Sequence, residues 1–175
     1  MHIRSKIPLL ACVLFFSVAP LFYIFIPPSD PVFVDGNPVE LYFGFESYKD
    51  KNEVLLRLEN DGYKIVVFED VSLPVGDKRP ALSTYTVDVY DYKNSGFQGK
   101  IRLHFLNNKL YNLLVYTPYP ELFPGSNGSS MKNIPKPGGC IDQRKHIEVC
   151  NYEIFISFSD KRIMKYVFDW MSKWL

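Results

Sequence analysis

The sequence contains none of the short motifs that mark the large enzyme classes. There is no G-x-S-x-G nucleophile elbow, no H-E-x-x-H zinc helix, no G-x-G-x-x-G dinucleotide loop and no Walker phosphate loop. Beyond the first 38 residues there are only two histidines, His104 and His146, and no motif pairs either one with a nucleophile. These absences favour a non-enzymatic protein that needs no cofactor.

An excess of one charge sign is also missing. Without the N-terminal Arg4 and Lys6, the remaining 18 basic residues face 19 acidic ones, a formal net charge of −1. No block of like charge stands out, so the basic face that a nucleic-acid partner requires is not expected. The chain is long enough to form a hydrophobic core, because the residues after Pro27 suit one domain of ordinary size.

Cysteine is scarce, with three in the chain. Cys12 lies in an apolar run, which leaves Cys140 and Cys150 as an even pair, ten residues apart. In an oxidising compartment such a pair predicts a disulfide, which closes the loop CIDQRKHIEVC. No metal site is predicted, because there is no C-x-x-C and His146 is the only other soft ligand nearby.

Charged residues are absent from the run Ile7–Ile26, which is mostly apolar. About 20 helical residues span the hydrocarbon core of a bilayer. Arg4 and Lys6 precede the run, and Asp30 and Asp35 follow it. Because positive flanks stay cytoplasmic, we expect a single-pass protein with a cytoplasmic N-terminus and an extracytoplasmic domain, periplasmic in a Gram-negative bacterium.

Three interpretations of this run remain open, and all three export the rest of the chain. As a cleaved signal peptide it offers the small-x-small site Ser17–Ala19, but Pro20 would follow the cut. As a lipoprotein signal it offers Leu9–Cys12, but the apolar stretch after Lys6 is then too short. As an uncleaved anchor it carries Pro8 in its first turn, where the missing N–H costs little. The anchor is the favoured interpretation.

The predicted organisation is an anchor over residues 1–27, a linker over 28–38 and an extracytoplasmic domain over 39–175. Alternating and β-branched segments predict strands, and 3.6-residue periodicity predicts helices. Strands are predicted over 39–45, 63–69, 84–92, 100–106, 110–117 and 153–158, and helices over 48–61 and from Ser159 to the C-terminus. Tight turns join the middle strands, so the fold class is α+β: a membrane helix followed by an antiparallel β-meander packed against two helices.

Local signals support these boundaries. Ser47 is the predicted cap of the first helix and Ser159 that of the last. Asn107-Asn108 predicts a two-residue turn, since Asn tolerates positive φ. An extra turn residue would flip the strand over 110–117, so its register stays open. In the last helix an apolar stripe is predicted to pack on the sheet; it comprises Ile163, Met164, Val167, Trp170, Met171 and Trp174.

Six residues are candidate partner contacts. The predicted sheet surface contributes Tyr90, Arg102 and His104. The cysteine loop contributes Arg144, Lys145 and His146. The simpler interpretation of the first group is a solvated sheet surface, and that of the second a hairpin tip. Asp88 is likewise predicted to occupy an ordinary surface position.

The resulting hypothesis is a membrane-anchored, extracytoplasmic module that binds another protein. It would be a subunit of an envelope complex, or an inhibitor or immunity-type protein. One alternative is a small envelope hydrolase that uses His104 with a carboxylate, and another is a sensor domain with a ligand pocket. A concave site that joins His104 to an acid favours the hydrolase. An apolar cavity favours the sensor, and a flat aromatic surface favours protein binding.

Overall fold

Antiparallel hairpins make up most of the protein, of which the computed structural model describes residues 33, 36–73, 79–94, 96–117 and 134–175. The strands are β1 (Glu40–Tyr42), β2 (Phe45–Glu46), β3 (Ile65–Leu73), β4 (Leu82–Asn94), β5 (Phe97–Leu106), β6 (Lys109–Tyr116), β7 (Cys140–Arg144), β8 (Ile147–Asn151) and β9 (Phe155–Asp160), and the helices are α1 (Lys51–Asn60) and α2 (Lys161–Trp174). Strands β3 to β9 form one sheet in the order β3-β4-β5-β6-β9-β8-β7, and β1 pairs with β2. Every pairing is antiparallel, so the predicted α+β class with two helices is confirmed.

The predicted anchor, residues 1–27, and residues 118–133 lie outside the described residues. Neither helix of the described part is long and apolar enough to cross a bilayer.

The predicted turn at Asn107-Asn108 joins β5 to β6. Asn107 has φ 46° and Asn108 has φ 64°, the left-handed values that a two-residue hairpin turn requires. The turn pairs Phe105 with Leu110, and a bulge then shifts the ladder so that His104 lies opposite Asn112. This pairing settles the register that the sequence left open.

The cysteine loop is a hairpin of two strands, β7 and β8, which the sequence analysis did not predict. Cys140 lies directly opposite Cys150, and the predicted disulfide joins them with an S–S length of 2.03 Å. Strand β8 pairs with β9, so the hairpin extends the sheet to seven strands. This segment is short and half of it is polar, so its own sequence does not predict strands. Its strand structure depends on the pairing of β8 with β9.

One face of the sheet carries the main hydrophobic core. Side chains that alternate along the strands, such as Val87, Leu103, Val115 and Phe158, are buried there against β1, β2 and α1. Helix α1 contributes Val54 and Leu58. We call this the covered face.

The opposite side is the open face, defined by Thr86, Asp88, Arg102, His104, Asn112, Leu114, Glu148, Cys150, Ser157 and Ser159. Helix α2 packs at one end of it. There Ile163, Tyr166 and Trp170 form a second core with Leu82 and Leu106. Trp170 is fully buried, and its indole N–H donates to the carbonyl of Pro80 at 3.0 Å. Beyond the helix the strands stay uncovered by any described element, which leaves a groove.

The structure corrects two predicted helix caps and one predicted strand. Asp50, and not Ser47, caps α1 by accepting a hydrogen bond from the backbone N–H of Asn52. Asp160, one residue beyond the predicted Ser159, caps α2. The strand predicted over 39–45 is two short strands, because a turn at Phe43-Gly44 with positive φ at both residues interrupts it.

Candidate functional site

A row of polar residues crosses the open face from strand to strand. The sheet register places Thr86 opposite His104, His104 opposite Asn112, Asn112 opposite Ser159, and Ser159 opposite Glu148. These five residues come from five different strands. Only the pairing order β4-β5-β6-β9-β8 brings them into line.

An amide and two hydroxyls hold the middle of this row. The Asn112 side-chain nitrogen donates to Ser159 Oγ at 2.6 Å and to Ser157 Oγ at 2.7 Å, and the two hydroxyl oxygens lie 3.1 Å apart. Its third contact is the backbone carbonyl of Phe158 at 3.3 Å. The amide is therefore fixed in orientation, and no hydrogen bond within the described part of the chain uses its oxygen. The floor of the groove thus keeps an amide acceptor and a hydroxyl donor for a bound group.

His104 lies beside this cluster as a neutral side chain. Its Nδ1 is 3.1 Å from the Thr86 hydroxyl, and its ring is 6.2 Å from that of Tyr111. Burial is the main reason that the pKa of His104 is lowered to about 4; the charge of Arg102 adds to the effect and that of Asp88 opposes it. At neutral pH the imidazole is uncharged and serves as a hydrogen-bonding group.

A cluster of charged and aromatic side chains flanks the row on β3, β4, β5 and β6. The Asp88 carboxylate accepts hydrogen bonds from Arg102 at 2.6 and 3.0 Å and lies 2.9 Å from Lys100. Burial raises the pKa of this carboxyl, but hydrogen bonds from Arg102 and Lys100 outweigh it and hold the pKa below its usual value. Asp88 is buried, so its predicted surface position was wrong.

Aromatic rings surround the two cations. The Arg102 guanidinium stacks 3.6 Å from the centre of the Phe68 ring, and Lys100 lies 4.4 Å from that of Tyr116 and 5.5 Å from that of Tyr90. Because the cations are paired with Asp88 and stacked on rings, this end of the open face is rigid and only weakly charged.

The groove itself lies between β6, β9, β8 and helix α2, with a volume of about 640 Å³. Its floor contains His104, Asn112, Ser157 and Ser159. Its walls are largely apolar and include Tyr111, Leu114, Tyr152, Phe155, Met164 and Phe168. Two of the wall residues project into solvent, since Phe168 is 61% exposed and Tyr152 is 50% exposed.

Helix α2 has a second apolar stripe that sequence analysis missed. Met164 and Phe168 line the groove, and Met171 and Leu175 continue the same spacing of i, i+4, i+7 and i+11. Phe168, Met171 and Leu175 are exposed. Met171 was therefore wrongly assigned to the buried stripe. The periodic signal was present in the sequence, but the two stripes adjoin and cannot be separated without knowing which one meets the sheet.

The predicted contact residues fall into two groups. Arg102 and His104 belong to the open face, and the exposed Tyr90 lies beside Lys100. The second group is at the turn between β7 and β8, where Arg144 reaches β1 and pairs with Glu40 at 3.2 Å.

The other two residues of that turn differ in their roles. Lys145 is exposed. His146 accepts the backbone N–H of Lys161 through its carbonyl at 2.8 Å. The basic turn thus helps to join β7–β8 to β1 and α2, and its residues do not line the groove.

One group of three possible metal ligands occurs among the described residues: Cys140, Glu148 and Cys150. The two sulfurs are bonded to each other, so neither is available as a thiolate ligand. The disulfide instead holds the edge hairpin in place beside the groove, which Cys150 lines.

No protein-family model, curated protein or solved structure matches the chain. What the protein does is therefore inferred from the chemistry of its own open face.

Proposed function

We propose that this chain is a membrane-anchored, extracytoplasmic module that binds another protein through the groove on its open face, and that it carries out no reaction of its own. The observation that carries the proposal is that two exposed aromatic side chains, Tyr152 and Phe168, line a groove with a hydrogen-bonding floor. Exposed large apolar side chains mark protein-interaction surfaces, where aromatic residues are enriched.

The composition of the groove suits a protein segment. Phe168, Met164 and Tyr152 supply apolar area, and large aromatic side chains provide much of the binding energy in protein interfaces. The floor supplies neutral donors and acceptors from His104, Asn112 and the serines, which match the amide groups of a polypeptide. Met164, Phe168, Met171 and Leu175 extend the apolar surface along α2 beyond the groove.

The geometry gives less support to the two alternatives. A hydrolase would need His104 to act as a base, but its pKa of about 4 makes it a weak base at neutral pH, and its hydrogen-bond partner is the hydroxyl of Thr86. A sensor domain would enclose its ligand, whereas the groove that the described residues form is open and has a polar floor.

The location follows from two features of the chain. The uncharged run Ile7–Ile26, with Arg4 and Lys6 before it, suits a single-pass anchor whose C-terminal domain is exported. The Cys140–Cys150 disulfide is consistent with an oxidising compartment. An envelope-complex subunit and an inhibitor or immunity-type protein both fit this location.

Exchange of one wall residue tests the proposal. Phe168→Asp places a charge in the groove wall, and Leu56→Asp is a matched control, because Leu56 is 57% exposed on helix α1, away from the open face. Both variants should fold, since each side chain is largely solvated. Full-length proteins, each with a photo-crosslinking phenylalanine analogue at position 152, are then irradiated in native membranes and purified.

We expect one discrete protein to be cross-linked in the wild type and in Leu56→Asp, and to be lost in Phe168→Asp. A cross-linked product that is equally abundant in all three proteins would place the contact elsewhere. The absence of any product at position 152, with products from a probe at position 56, would refute the groove as the binding site.

A further inference from the structure

The strands beneath the groove are paired on both sides. Strand β6 lies between β5 and β9, β9 between β6 and β8, and β8 between β9 and β7. Their backbone N–H and C=O groups therefore bond across the sheet, and a further strand cannot add at this place. A segment that enters the groove meets side chains, so its backbone groups need partners within the segment itself. An α-helix meets this condition, because its backbone hydrogen bonds are internal.

Helix α2 carries apolar residues in heptad spacing along the groove and beyond it. Met164, Phe168, Met171 and Leu175 follow one another at intervals of four, three and four residues. Phe168, Met171 and Leu175 are 61%, 44% and 81% exposed. This spacing is that of the a and d positions through which two α-helices pack side by side. The stripe spans about 16 Å at the rise of an α-helix, so a partner helix of three turns matches its length.

The floor of the groove is low and has the width of a helix. Strands β6 and β8 are two strand spacings apart, about 10 Å, which is also the diameter of an α-helix with its side chains. Ser157 lies opposite Leu114 on one side and Cys150 on the other, and Ser159 is the next residue on the same face. Small side chains thus occupy the centre, and larger ones such as Phe155 and Phe168 line the walls. This shape leaves room for bulky side chains of a bound helix.

The polar centre of the floor is complementary to a carboxamide side chain. Asn112 is 8% exposed, its amide nitrogen donates to Ser157 and Ser159, and its amide oxygen has no hydrogen bond within the described part of the chain. The two serine oxygens lie 3.1 Å apart, so one hydroxyl donates to the other and the second keeps a free proton. The side-chain amide of Asn or Gln presents a donor and an acceptor on one edge, whereas the N–H and C=O of a trans peptide point in opposite directions.

The charges beside the stripe indicate the sign of the partner's flank. Lys161 and Lys165 lie along the α2 side of the groove, and the Lys165 side chain is 74% exposed. Their ion pairs with Asp142 and Asp169 are surface pairs, which contribute little to stability and can exchange partners. An acidic residue that flanks the apolar stripe of a bound helix is therefore complementary to this side.

We propose that the segment bound in the groove is an amphipathic α-helix that packs along α2. Its apolar residues, in heptad spacing, lie against Met164, Phe168 and Met171. One Asn or Gln within its stripe bonds to Asn112, and an acidic residue flanks the stripe on the side of Lys165. A buried carboxamide of this kind fixes the register of packed helices. This inference rests on the proposed function, because it names the kind of segment that the groove binds.

Cross-linking along the stripe tests for a helix. The full-length chain carries the photo-crosslinking phenylalanine analogue at one of the positions 164, 168, 171 and 175, with position 56 on α1 as the control, and is irradiated in native membranes. Mass spectrometry of the cross-linked peptides identifies the partner residue joined to each position. A helix along α2 should give partner residues three or four apart in sequence, which advance in one direction along the stripe, and position 56 should give none of them.

The other outcomes separate this inference from the proposed function. Partner residues two apart, or in no order, would overturn the helix and leave the groove as a protein-binding site. A product at position 152 with none along the stripe would have the same meaning. Products with lipid alone along the stripe would overturn the inference in favour of a membrane contact. The absence of any protein product, at position 152 as well, would refute both proposals.

A synthetic peptide of the cross-linked partner segment then tests helicity and register separately. Fluorescence anisotropy measures its dissociation constant for the full-length chain in detergent solution. Proline at a solvent-facing position of the peptide should weaken binding more than about a hundredfold relative to alanine at the same position. Exchange of the Asn or Gln for Leu should weaken binding about tenfold, because the Asn112 oxygen then lacks a donor. Equal affinities in the first comparison would overturn the helix, and in the second the register.

Discussion

At the scale of single residues, Asp160 connects the sheet, the last helix and the N-terminal hairpin. Its carboxylate accepts the backbone N–H of Arg162 at 2.9 Å, the Arg162 guanidinium at 2.6 Å and the Ser47 hydroxyl at 2.7 Å. Burial raises the pKa of this carboxyl, but the hydrogen bonds from Arg162 and Ser47 outweigh it and lower the pKa below its usual value. Ser47, predicted as a helix cap, is in fact a buried partner of this carboxylate.

Replacement of Asp160 should be among the most destabilising changes in the domain. Asp160→Ala removes a helix cap and leaves a partly buried guanidinium without its partner, so we expect a loss of about 3–5 kcal/mol in the free energy of unfolding. Asp50→Ala is the matched control, because Asp50 caps α1 through a solvent-exposed bond and its loss should cost about 1 kcal/mol. Denaturant titration of both variants measures the difference; equal losses would contradict the structural role assigned to Asp160.

The lowered pKa of His104 predicts how the stability of the fold depends on pH. Its pKa is about 4 in the folded protein and near 6.5 when unfolded, so the unfolded chain binds a proton more readily between these values. The free energy of unfolding should therefore fall as the pH drops from about 6.5 to about 4, by up to about 3 kcal/mol. Asp88 and Asp160, whose pKa values are lowered below 3.8, lose their contribution mainly at lower pH.

The measurement is a set of denaturant titrations between pH 4 and pH 7 on the wild type and His104→Gln. The variant should show a flatter dependence in this window, whatever its absolute stability. A slope unchanged by the substitution would mean that His104 is not the titrating group.

At the scale of the element, helix α2 has two apolar stripes, of which one is buried and the other is exposed. Ile163, Tyr166 and Trp170 are buried beneath the helix, while Phe168 and Met171 are exposed on the side that continues from the groove. The sequence analysis combined parts of both stripes into one and omitted Tyr166. The boundary between them depends on the angle at which α2 meets β4 and β5, which is set by contacts far apart in sequence.

Adjacent substitutions on α2 separate the two stripes. Trp170→Ala should reduce the free energy of unfolding by about 3–5 kcal/mol, because the side chain is fully buried and its loss leaves a cavity. Met171→Ala should change it by less than about 0.5 kcal/mol, since this neighbour is 44% exposed and lies outside the buried stripe. Thermal melts and a liposome-binding assay on residues 28–175, which lack the predicted anchor, distinguish packing from lipid contact. An unchanged melting temperature for Trp170→Ala with weaker lipid binding would assign the helix to the membrane.

At the scale of the whole molecule, the N-terminal run predicts where the domain resides. The residues from Ile7 to Ile26 carry no charge, and Pro20 follows the one small-x-small cleavage site, so we expect the uncleaved chain to stay in the membrane fraction after carbonate extraction. Leu14→Arg, near the middle of the run, should reduce insertion, because a charge there costs about 3 kcal/mol. Mass determination of the mature N-terminus completes the test; a soluble product that begins at Pro20 or later would contradict the anchor.

The sequence by itself determined the features that depend on neighbours along the chain. The alternation of Ile101, Leu103 and Phe105, the turn at Asn107-Asn108 and the even pair Cys140 and Cys150 each predicted a local structure that the fold contains. The period of the apolar residues, the residue types at a turn and the number of cysteines can all be read from the sequence. The sequence alone is therefore enough to predict these structures.

Only the tertiary structure decided which polar residues come together on the open face and at the start of α2. His104, Asn112 and Ser159 align because three strands pair in one register, and Asp160 is buried because Ser47, 113 residues earlier, reaches it. Along the sequence these polar residues resemble the solvated side of a strand. Their burial is stable only when distant residues supply hydrogen bonds and opposite charges, and the pairing that provides them is a property of the folded chain as a whole.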